Sequence, residues 1–121
     1  MTTMKIWLFC YLLVILACSF AHTLSTSVGT DRDIPRTWCI ANPLSLKTNL
    51  QRDIAFLCTN VDCSSIRPGG ACFNPNTFQN HASVLFNLYY KAHGAQESYC
   101  KFGGDAMLSL SDPSYGTCKF E

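Results

Sequence analysis

Charge is scarce in this sequence. Only 14% of the 121 residues are Asp, Glu, Lys or Arg, and the formal net charge is +1. No stretch of the chain is strongly basic or strongly acidic. Binding to nucleic acids or to anionic membranes by bulk electrostatics is therefore disfavoured, because both depend on a concentrated positive surface. We expect a ligand that is neutral, or that is recognised by its shape.

Hydrophobic runs are short as well. The longest apolar run covers residues 6–17, which is well below the roughly 20 residues that span a bilayer. It follows Lys5 and precedes small residues at Ser19 and Ala21, a pattern typical of secretory signal peptides. We predict a signal peptide over residues 1–21, with a transmembrane anchor as the alternative. Without Lys5, eight basic residues balance eight acidic ones.

No apolar tail follows the last cysteine, Cys118, so we expect no lipid anchor or other membrane anchor there. Residues 22–36 are rich in Ser and Thr and lack apolar periodicity, which predicts a flexible N-terminal tail. Residues 37–121 then form one small domain. The expected product is a secreted, extracellular monomer.

Six of the eight cysteines follow the predicted signal peptide: Cys39, Cys58, Cys63, Cys72, Cys100 and Cys118. An even number in a short secreted chain indicates a disulfide framework, and six cysteines allow 15 pairings. No Cys-x-x-Cys pair occurs, so we expect neither a zinc site nor any other metal or cofactor. A domain of this size needs such cross-links, because its core is small.

Two segments have the periodicity of helices. Leu50, Ile54, Leu57 and Cys58 form one apolar stripe, and Thr48 with Gln51 fits a capping box at its start. This helix is expected to end near residues 59–60. The second helix is expected over residues 80–93, with Gly94 just beyond its end. Its apolar face is Ala82, Leu85, Phe86 and Tyr89, and its polar stripe is Ser83, Asn87 and Lys91.

Extended structure is expected in four short segments. Residues 38–41 lead into the domain, and the segments 99–102, 106–109 and 117–120 alternate or lie between turn residues. The sequence thus predicts an α+β class: a small disulfide-rich domain with two helices and a small antiparallel sheet.

Nothing in the sequence predicts catalysis. Asp62, Asp105 and Asp112 fall in loops, while Asp53 and Glu97 are expected on solvated surfaces, so no two carboxyl groups are paired for glycoside hydrolysis. A Cys-His arrangement is excluded if all six cysteines form disulfides. His81 is interpreted as a structural residue. We therefore expect a protein that is not an enzyme.

A candidate ligand surface lies along the second helix. Tyr90 falls at the margin of the apolar face, beside Ser83 and Asn87. An exposed aromatic ring next to amide and hydroxyl groups suits a sugar, whose C–H face stacks on the ring. The alternative is that Tyr90 is only a boundary residue. The turn before the helix and the late loop add further candidates: Asn76, Phe73 and Tyr115.

The order of these motifs resembles a known family. They are Trp38-Cys39, the helix ending in Cys58, Asp62-Cys63, the segment Gly70-Ala71-Cys72-Phe73-Asn74-Pro75-Asn76-Thr77, His81-Ala82-Ser83 with Asn87 and Tyr89-Tyr90, Cys100-Lys101-Phe102, and Asp112-Pro113-Ser114 with Gly116 and Cys118. They are similar to the plant X8 domain, carbohydrate-binding module family 43. The resemblance covers about residues 37–120 and is strongest to small, single-module secreted members.

The resemblance implies binding of β-1,3-glucan, such as callose or laminarin, in the plant cell wall without hydrolysis. It also implies three disulfides, Cys39–Cys100, Cys58–Cys63 and Cys72–Cys118. Two departures stand out: the family often has Asp-Tyr where this chain has Ala55-Phe56, and Ser-Tyr-Ala where it has Ser83-Val84-Leu85. The alternative hypothesis is therefore a disulfide-stapled secreted interaction protein that docks on another protein and has lost most sugar affinity.

Overall fold

The computed structural model describes residues 2–23 and 34–121. The chain divides into two compact units, Met1–Ile34 and Pro35–Glu121. In the first unit, helix α1 spans Thr2–Thr23. No helix in the described ranges is long and apolar enough to cross a membrane. Most of the predicted N-terminal tail lies outside the described residues, and the predicted signal peptide stays a prediction.

The second unit contains two helices and two strands. Strand β1 is Trp38–Ala41, helix α2 is Lys47–Leu57, helix α3 is Phe78–Ala92 and strand β2 is Ala106–Ser109. The strands pair antiparallel, with Trp38 opposite Ser109 and Ala41 opposite Ala106. The predicted α+β class, with two helices and a small antiparallel sheet, is confirmed for this unit.

Helix α3 is the centre of the domain and packs against both β1 and α2. Its inward side chains meet those of the other elements in one apolar core. The fully buried members of the core include Cys39, Leu50, Leu57, Leu85, Phe86, Tyr90 and Cys118. The three disulfides are Cys39–Cys100, Cys58–Cys63 and Cys72–Cys118, the same pairs that the resemblance implies.

Two predicted strands are absent from the described domain. Tyr99 belongs to a 3-10 helix at Glu97–Tyr99, and Phe102 begins another at Phe102–Gly104. Positive φ angles at Phe102, Gly103 and Gly104 are incompatible with a strand. Residues 117–120 form no strand either, because the chain turns back on itself and makes one isolated bridge, Tyr115 to Cys118.

The two helix starts also differ from prediction. Helix α2 begins at Lys47, so Thr48 lies inside its first turn, and the residue at the N-cap position, Leu46, makes no capping bond. Helix α3 begins at Phe78, two residues earlier than predicted, because the Thr77 hydroxyl accepts a hydrogen bond from the backbone N–H of Asn80 at 3.1 Å.

Candidate functional site

The structure places Tyr90 in the core rather than at an exposed margin. Its side chain is only 2% exposed, and its hydroxyl lies 2.6 Å from the Thr37 hydroxyl. The apolar face of α3 is wide, and the helix turns Tyr90 inward while its neighbour Tyr89 stays half-buried. The expectation of an exposed Tyr90 ring is therefore wrong, and no face of this ring is open to a ligand in this structure.

Ser83 and Asn87 fasten β1 to α3. The Asn87 carbonyl accepts from the Cys39 N–H at 3.1 Å, and its amide donates to the Glu121 carbonyl at 2.9 Å. The Ser83 hydroxyl accepts from the Ala41 N–H at 3.0 Å and donates to the Gln79 carbonyl. Asn87 is 2% exposed. The polar edge that was expected to face a ligand is instead a contact between β1 and α3, because β1 covers this side of the helix.

The remaining three candidates surround the turn before α3. The Phe73 ring packs on the His81 ring with centroids 5.7 Å apart, and the Phe73 carbonyl lies 2.7 Å from His81 Nε2. The Tyr115 hydroxyl donates to the Asn74 carbonyl at 2.6 Å. Asn76 alone among the three projects from the turn as an exposed side chain without a hydrogen-bond partner among the described residues. Their predicted contact with sugar stays a prediction.

A different surface brings together five aromatic rings, two of them exposed and three of them half-buried. We call it the aromatic face and define it as Phe56, Tyr89, His93, Tyr99 and Phe102. Four elements contribute to it: α2, α3 and the 3-10 helices at Glu97–Tyr99 and Phe102–Gly104. The Cys39–Cys100 disulfide fixes the chain between the two 3-10 helices, so Tyr99 and Phe102 are held on either side of it.

The rings of the aromatic face contact one another closely. Tyr99 stacks on His93 at a centroid distance of 4.3 Å, and His93 lies 4.2 Å from Tyr89. Tyr89 meets Phe102 edge-on at 5.3 Å, and Phe56 lies 6.3 Å from Tyr89. These mutual contacts fix the rings in place, which lowers the entropy lost when a ligand binds.

Much of this aromatic surface remains open. Phe56 is 51% exposed and Tyr99 is 36% exposed. A shallow cleft of about 360 Å³ lies between them, with Ser98 and Lys101 at its border. Lys101 pairs with Glu97 at 3.3 Å, so the charge of Lys101 is balanced by a neighbour that does not itself line the cleft. An aromatic floor with a polar border is the chemistry that binds neutral sugars.

This surface is only weakly indicated by the sequence. The sequence predicts a core position for Tyr89 and a strand for Tyr99 and Phe102. Phe56 stands out only as a departure from the family pattern. The signal present in the sequence is the pair of aromatic residues on the two sides of Cys100. Bringing them to α2 and α3 requires the fold.

The carboxylates are arranged differently from the prediction. Asp53 is buried rather than solvated, and it lies beside the buried Asp105. Arg52 Nη2 lies 3.2 Å from a carboxylate oxygen of each. Burial raises the pKa of Asp53, and the neighbouring Asp105 adds to this effect, while Arg52 opposes it. Neither carboxylate lines the cleft of the aromatic face.

The pKa of Asp105 is shifted in the opposite direction. Burial by itself raises its pKa, but hydrogen bonds from Ser45 and Asn49 and the charge of Arg52 outweigh burial, so the pKa of Asp105 lies below its ordinary value. The pair is an internal polar cluster that joins α2 to the start of β2. In the described part of the chain, no three His, Cys, Asp or Glu side chains converge as a set of metal ligands.

Comparisons with known proteins give the chain its family. The family model for the X8 domain matches residues 37–107. The chain is 38% identical over 87 residues to the major pollen allergen Ole e 10 of Olea europaea, a match that covers 70% of this chain and 71% of the allergen. It is 38% identical over 85 residues to plasmodesmata callose-binding protein 5 of Arabidopsis thaliana, covering 69% of this chain and 47% of that protein.

Larger proteins share only this module. A glucan endo-1,3-beta-glucosidase of Triticum aestivum is 47% identical over 83 residues, which is 69% of this chain but 18% of the glucosidase. The chain therefore spans about a fifth of the length of such relatives, and their full activity does not transfer with the match. The matched residues 37–107 make up more than half of this chain and include α2, α3 and both ends of the Cys39–Cys100 disulfide. The chain belongs to the X8 domain family.

Proposed function

We propose that this protein is a non-catalytic module that binds β-1,3-glucan through its aromatic face. The observation that carries the proposal is the convergence of Phe56, Tyr89, Tyr99 and Phe102 on one open cleft. The names of two relatives support the ligand class: one is a glucan endo-1,3-beta-glucosidase and the other a callose-binding protein.

A neutral polymer such as a glucan matches the aromatic, uncharged floor of the cleft. A glucan residue presents apolar C–H groups on its faces and hydroxyl groups around its edge. Phe56 and Tyr99 offer aromatic rings to the former, while Ser98 and Lys101 offer polar partners to the latter. The low overall charge of the chain suits a ligand without charge.

Phe56 is the most informative residue at this surface. Its ring is more exposed than the other rings of the aromatic face. The family resemblance implies that many members carry Tyr at this position. The ring itself is therefore kept, and only the phenolic hydroxyl is missing. Loss of a stacking ring costs about 1.5 kcal/mol, which is roughly a tenfold loss of affinity.

We predict that Phe56→Ala weakens binding of laminari-oligosaccharides about tenfold, because the stacking ring is removed. Phe56→Tyr should bind at least as tightly as the original protein, because it keeps the ring and adds a hydroxyl. Isothermal titration calorimetry measures both, with Leu110→Ala as a matched control at an exposed apolar residue outside the aromatic face. Absence of binding heat together with no retention on insoluble β-1,3-glucan would reject the function. Unchanged affinity in Phe56→Ala would reject the site.

The proposed setting is the extracellular plant cell wall. The predicted signal peptide at residues 1–21 and the three disulfides favour an oxidising, secreted location. Expression in plant cells followed by N-terminal sequencing of apoplastic protein tests this location. A mature N-terminus at His22 is expected, whereas recovery of a chain that retains residues 1–21 would contradict it.

A further inference from the structure

A second open surface lies at the opposite end of α3. We call it the Phe78 groove; two segments form it, the loop leading into α2 and the turn leading into α3. Its volume is about 650 Å³, larger than the cleft of the aromatic face. Its lining includes Lys47, Leu50, Asn76, Phe78, Gln79 and His81.

The lining combines an exposed ring with amides. Phe78 is 40% exposed, and the exposed amide of Asn76 has no partner within the described residues. Gln79 uses its Nε2 to donate to the Ala41 carbonyl at 2.8 Å, which leaves its side-chain oxygen as an acceptor. The buried Leu50 also lines the groove. A ring beside hydrogen-bonding amides is suited to a polyhydroxyl ligand.

Charge narrows the class of ligand further. Lys47 is the only permanently charged residue in the lining, and the His81 ring is already engaged with the Phe73 carbonyl at 2.7 Å. A single exposed lysine does not select a polyanion. The groove therefore favours a neutral ligand with many hydroxyl groups over an acidic peptide or a nucleic acid.

Hydrogen bonds outside the groove hold the turn that carries Asn76. The Tyr115 hydroxyl donates to the Asn74 carbonyl and accepts from the Asn80 amide at 2.7 Å. The Thr77 hydroxyl caps α3, which fixes the position of Phe78 at the first residue of the helix. Such bracing means that little conformational entropy is lost on binding.

The two surfaces are separate sites on one rigid body. They share no lining residue, and Phe78 and Tyr89 stand eleven residues apart on α3. At a rise of 1.5 Å per residue, this spacing places them about 16 Å apart along the helix axis. A polymer repeats the same binding unit along its length, so one chain or two neighbouring chains can occupy both sites together.

We propose that the Phe78 groove is a second binding site for β-1,3-glucan, which makes the domain bivalent. The inference rests on the proposed function, because it takes the same ligand class. Two sites on one body raise the effective concentration at the second site once the first is filled. The protein therefore binds a glucan surface much more tightly than it binds a short soluble oligosaccharide.

The test counts sites with a short laminari-oligosaccharide, too short to span about 16 Å. Calorimetry on the original protein should give two ligands per chain. Phe78→Ala should leave one bound ligand per chain, and so should the double variant Asn76→Ala with Gln79→Ala. The double variant Phe56→Ala with Tyr99→Ala, which changes the aromatic face, should also leave one. Combining the aromatic-face and groove changes should leave none. If Phe78→Ala fails to fold, the double variant Asn76→Ala with Gln79→Ala still tests the groove.

Retention on insoluble β-1,3-glucan is the second measurement. Losing either site should lower the apparent affinity at least tenfold, while cello-oligosaccharide, a β-1,4-linked probe, should bind neither site. One ligand per chain with unchanged groove variants would overturn the second site and leave the proposed function intact. Complete loss of binding in groove variants alone would overturn both the bivalence and the aromatic-face assignment. No binding by the original protein would overturn the proposed function itself.

Discussion

At the scale of single residues, Asn87 connects three parts of the chain. It sits in the middle of α3, and its amide reaches the backbone of β1 at Cys39 and the last residue, Glu121. Both partners are backbone groups, and they reach α3 only through the side chain of Asn87. A buried amide with partners on both sides fixes the register of the strand against the helix.

We predict that Asn87→Ala lowers the free energy of unfolding by about 2–3 kcal/mol, because buried hydrogen-bonding groups lose their partner. Urea denaturation measures the change. Asn76→Ala is the matched control, since that amide is exposed and has no partner in the described structure. It should shift stability by no more than about 0.5 kcal/mol. Equal effects of the two substitutions would contradict the assigned role.

Asp53 and Asp105 form the other informative contact at this scale. Two buried carboxylates share one arginine. A carboxylate oxygen of Asp53, Oδ2, is buried and has no hydrogen-bond partner among the residues that the structure describes. The raised pKa of Asp53, caused first by burial, means that the native state binds the Asp53 proton more tightly than the unfolded state does. Its contribution to stability is complete below the ordinary value of 3.8 and is lost as the pH rises through the native value.

Asp53→Asn should therefore become progressively more stable than the original protein as the pH rises from 3 to 7. An amide at this position cannot ionise and can donate to Asp105. Chemical denaturation at a series of pH values measures the difference. A constant difference across this range would show that Asp53 does not titrate abnormally.

Asp62→Asn provides a control of opposite sign. Hydrogen bonds from the Ser64 backbone and hydroxyl, at 2.9 and 3.0 Å, lower the pKa of Asp62. Its contribution to stability is present above the ordinary value of 3.8 and lost as the pH falls through the native value. Asp62→Asn should thus lose stability relative to the original protein as the pH rises.

At the scale of elements, α3 organises the domain through its ends as well as its face. Its first residue, Phe78, enters the Phe78 groove, and Tyr89 and His93 near its end enter the aromatic face. Its start is fixed by the Thr77 cap. The geometry of both proposed binding surfaces therefore depends on where this one helix begins.

We predict that Thr77→Ala lowers stability by about 1 kcal/mol, because the N–H of Asn80 loses its capping acceptor. Thr77→Ser should retain most of the stability, since the hydroxyl is kept. Thr48→Ala is the matched control, because Thr48 lies inside α2 and is exposed. Thermal unfolding of the three variants checks the order, and a larger loss for Thr48→Ala than for Thr77→Ala would contradict it.

At the scale of the whole molecule, the disulfides contribute unequally. Cys39–Cys100 closes a separation of 61 residues, and Cys58–Cys63 closes one of 5. In the chain-entropy model, these loops correspond to about 4 and about 2 kcal/mol of stabilisation. The longer link also holds the 3-10 helices that carry Tyr99 and Phe102, so it supports the aromatic face directly.

Replacing Cys39 and Cys100 together by Ser should therefore lower stability about twice as much as replacing Cys58 and Cys63 together. Urea denaturation of the two double variants measures this. The shorter-loop variant should keep its affinity for laminari-oligosaccharide, whereas the longer-loop variant should lose affinity even where it remains folded. Equal stabilities of the two variants would contradict the loop-length argument.

The cysteine pattern, the motif order and the helical periodicity were sufficient to predict the class, both helices and the disulfide pairs implied by the family. Local reasoning failed where backbone conformation or a neighbouring element decided the outcome. The strand predicted at residues 99–102 is replaced by parts of two 3-10 helices, and φ is positive at Phe102. The true cap of α3 was Thr77, which lies just outside the apolar pattern.

The sequence alone determined that this is a small, weakly charged, cross-linked domain, because composition and cysteine spacing do not depend on the fold. It also determined that α3 is buried over a wide arc. Only the tertiary structure decided which of two adjacent tyrosines faces inward. Strand β1 lies over the Ser83–Asn87 side of α3, and the Tyr90 hydroxyl contacts that of Thr37, so the edge that was predicted to be exposed is buried between β1 and α3. The exposed rings that form the two proposed binding surfaces are instead Phe56, Tyr99 and Phe78.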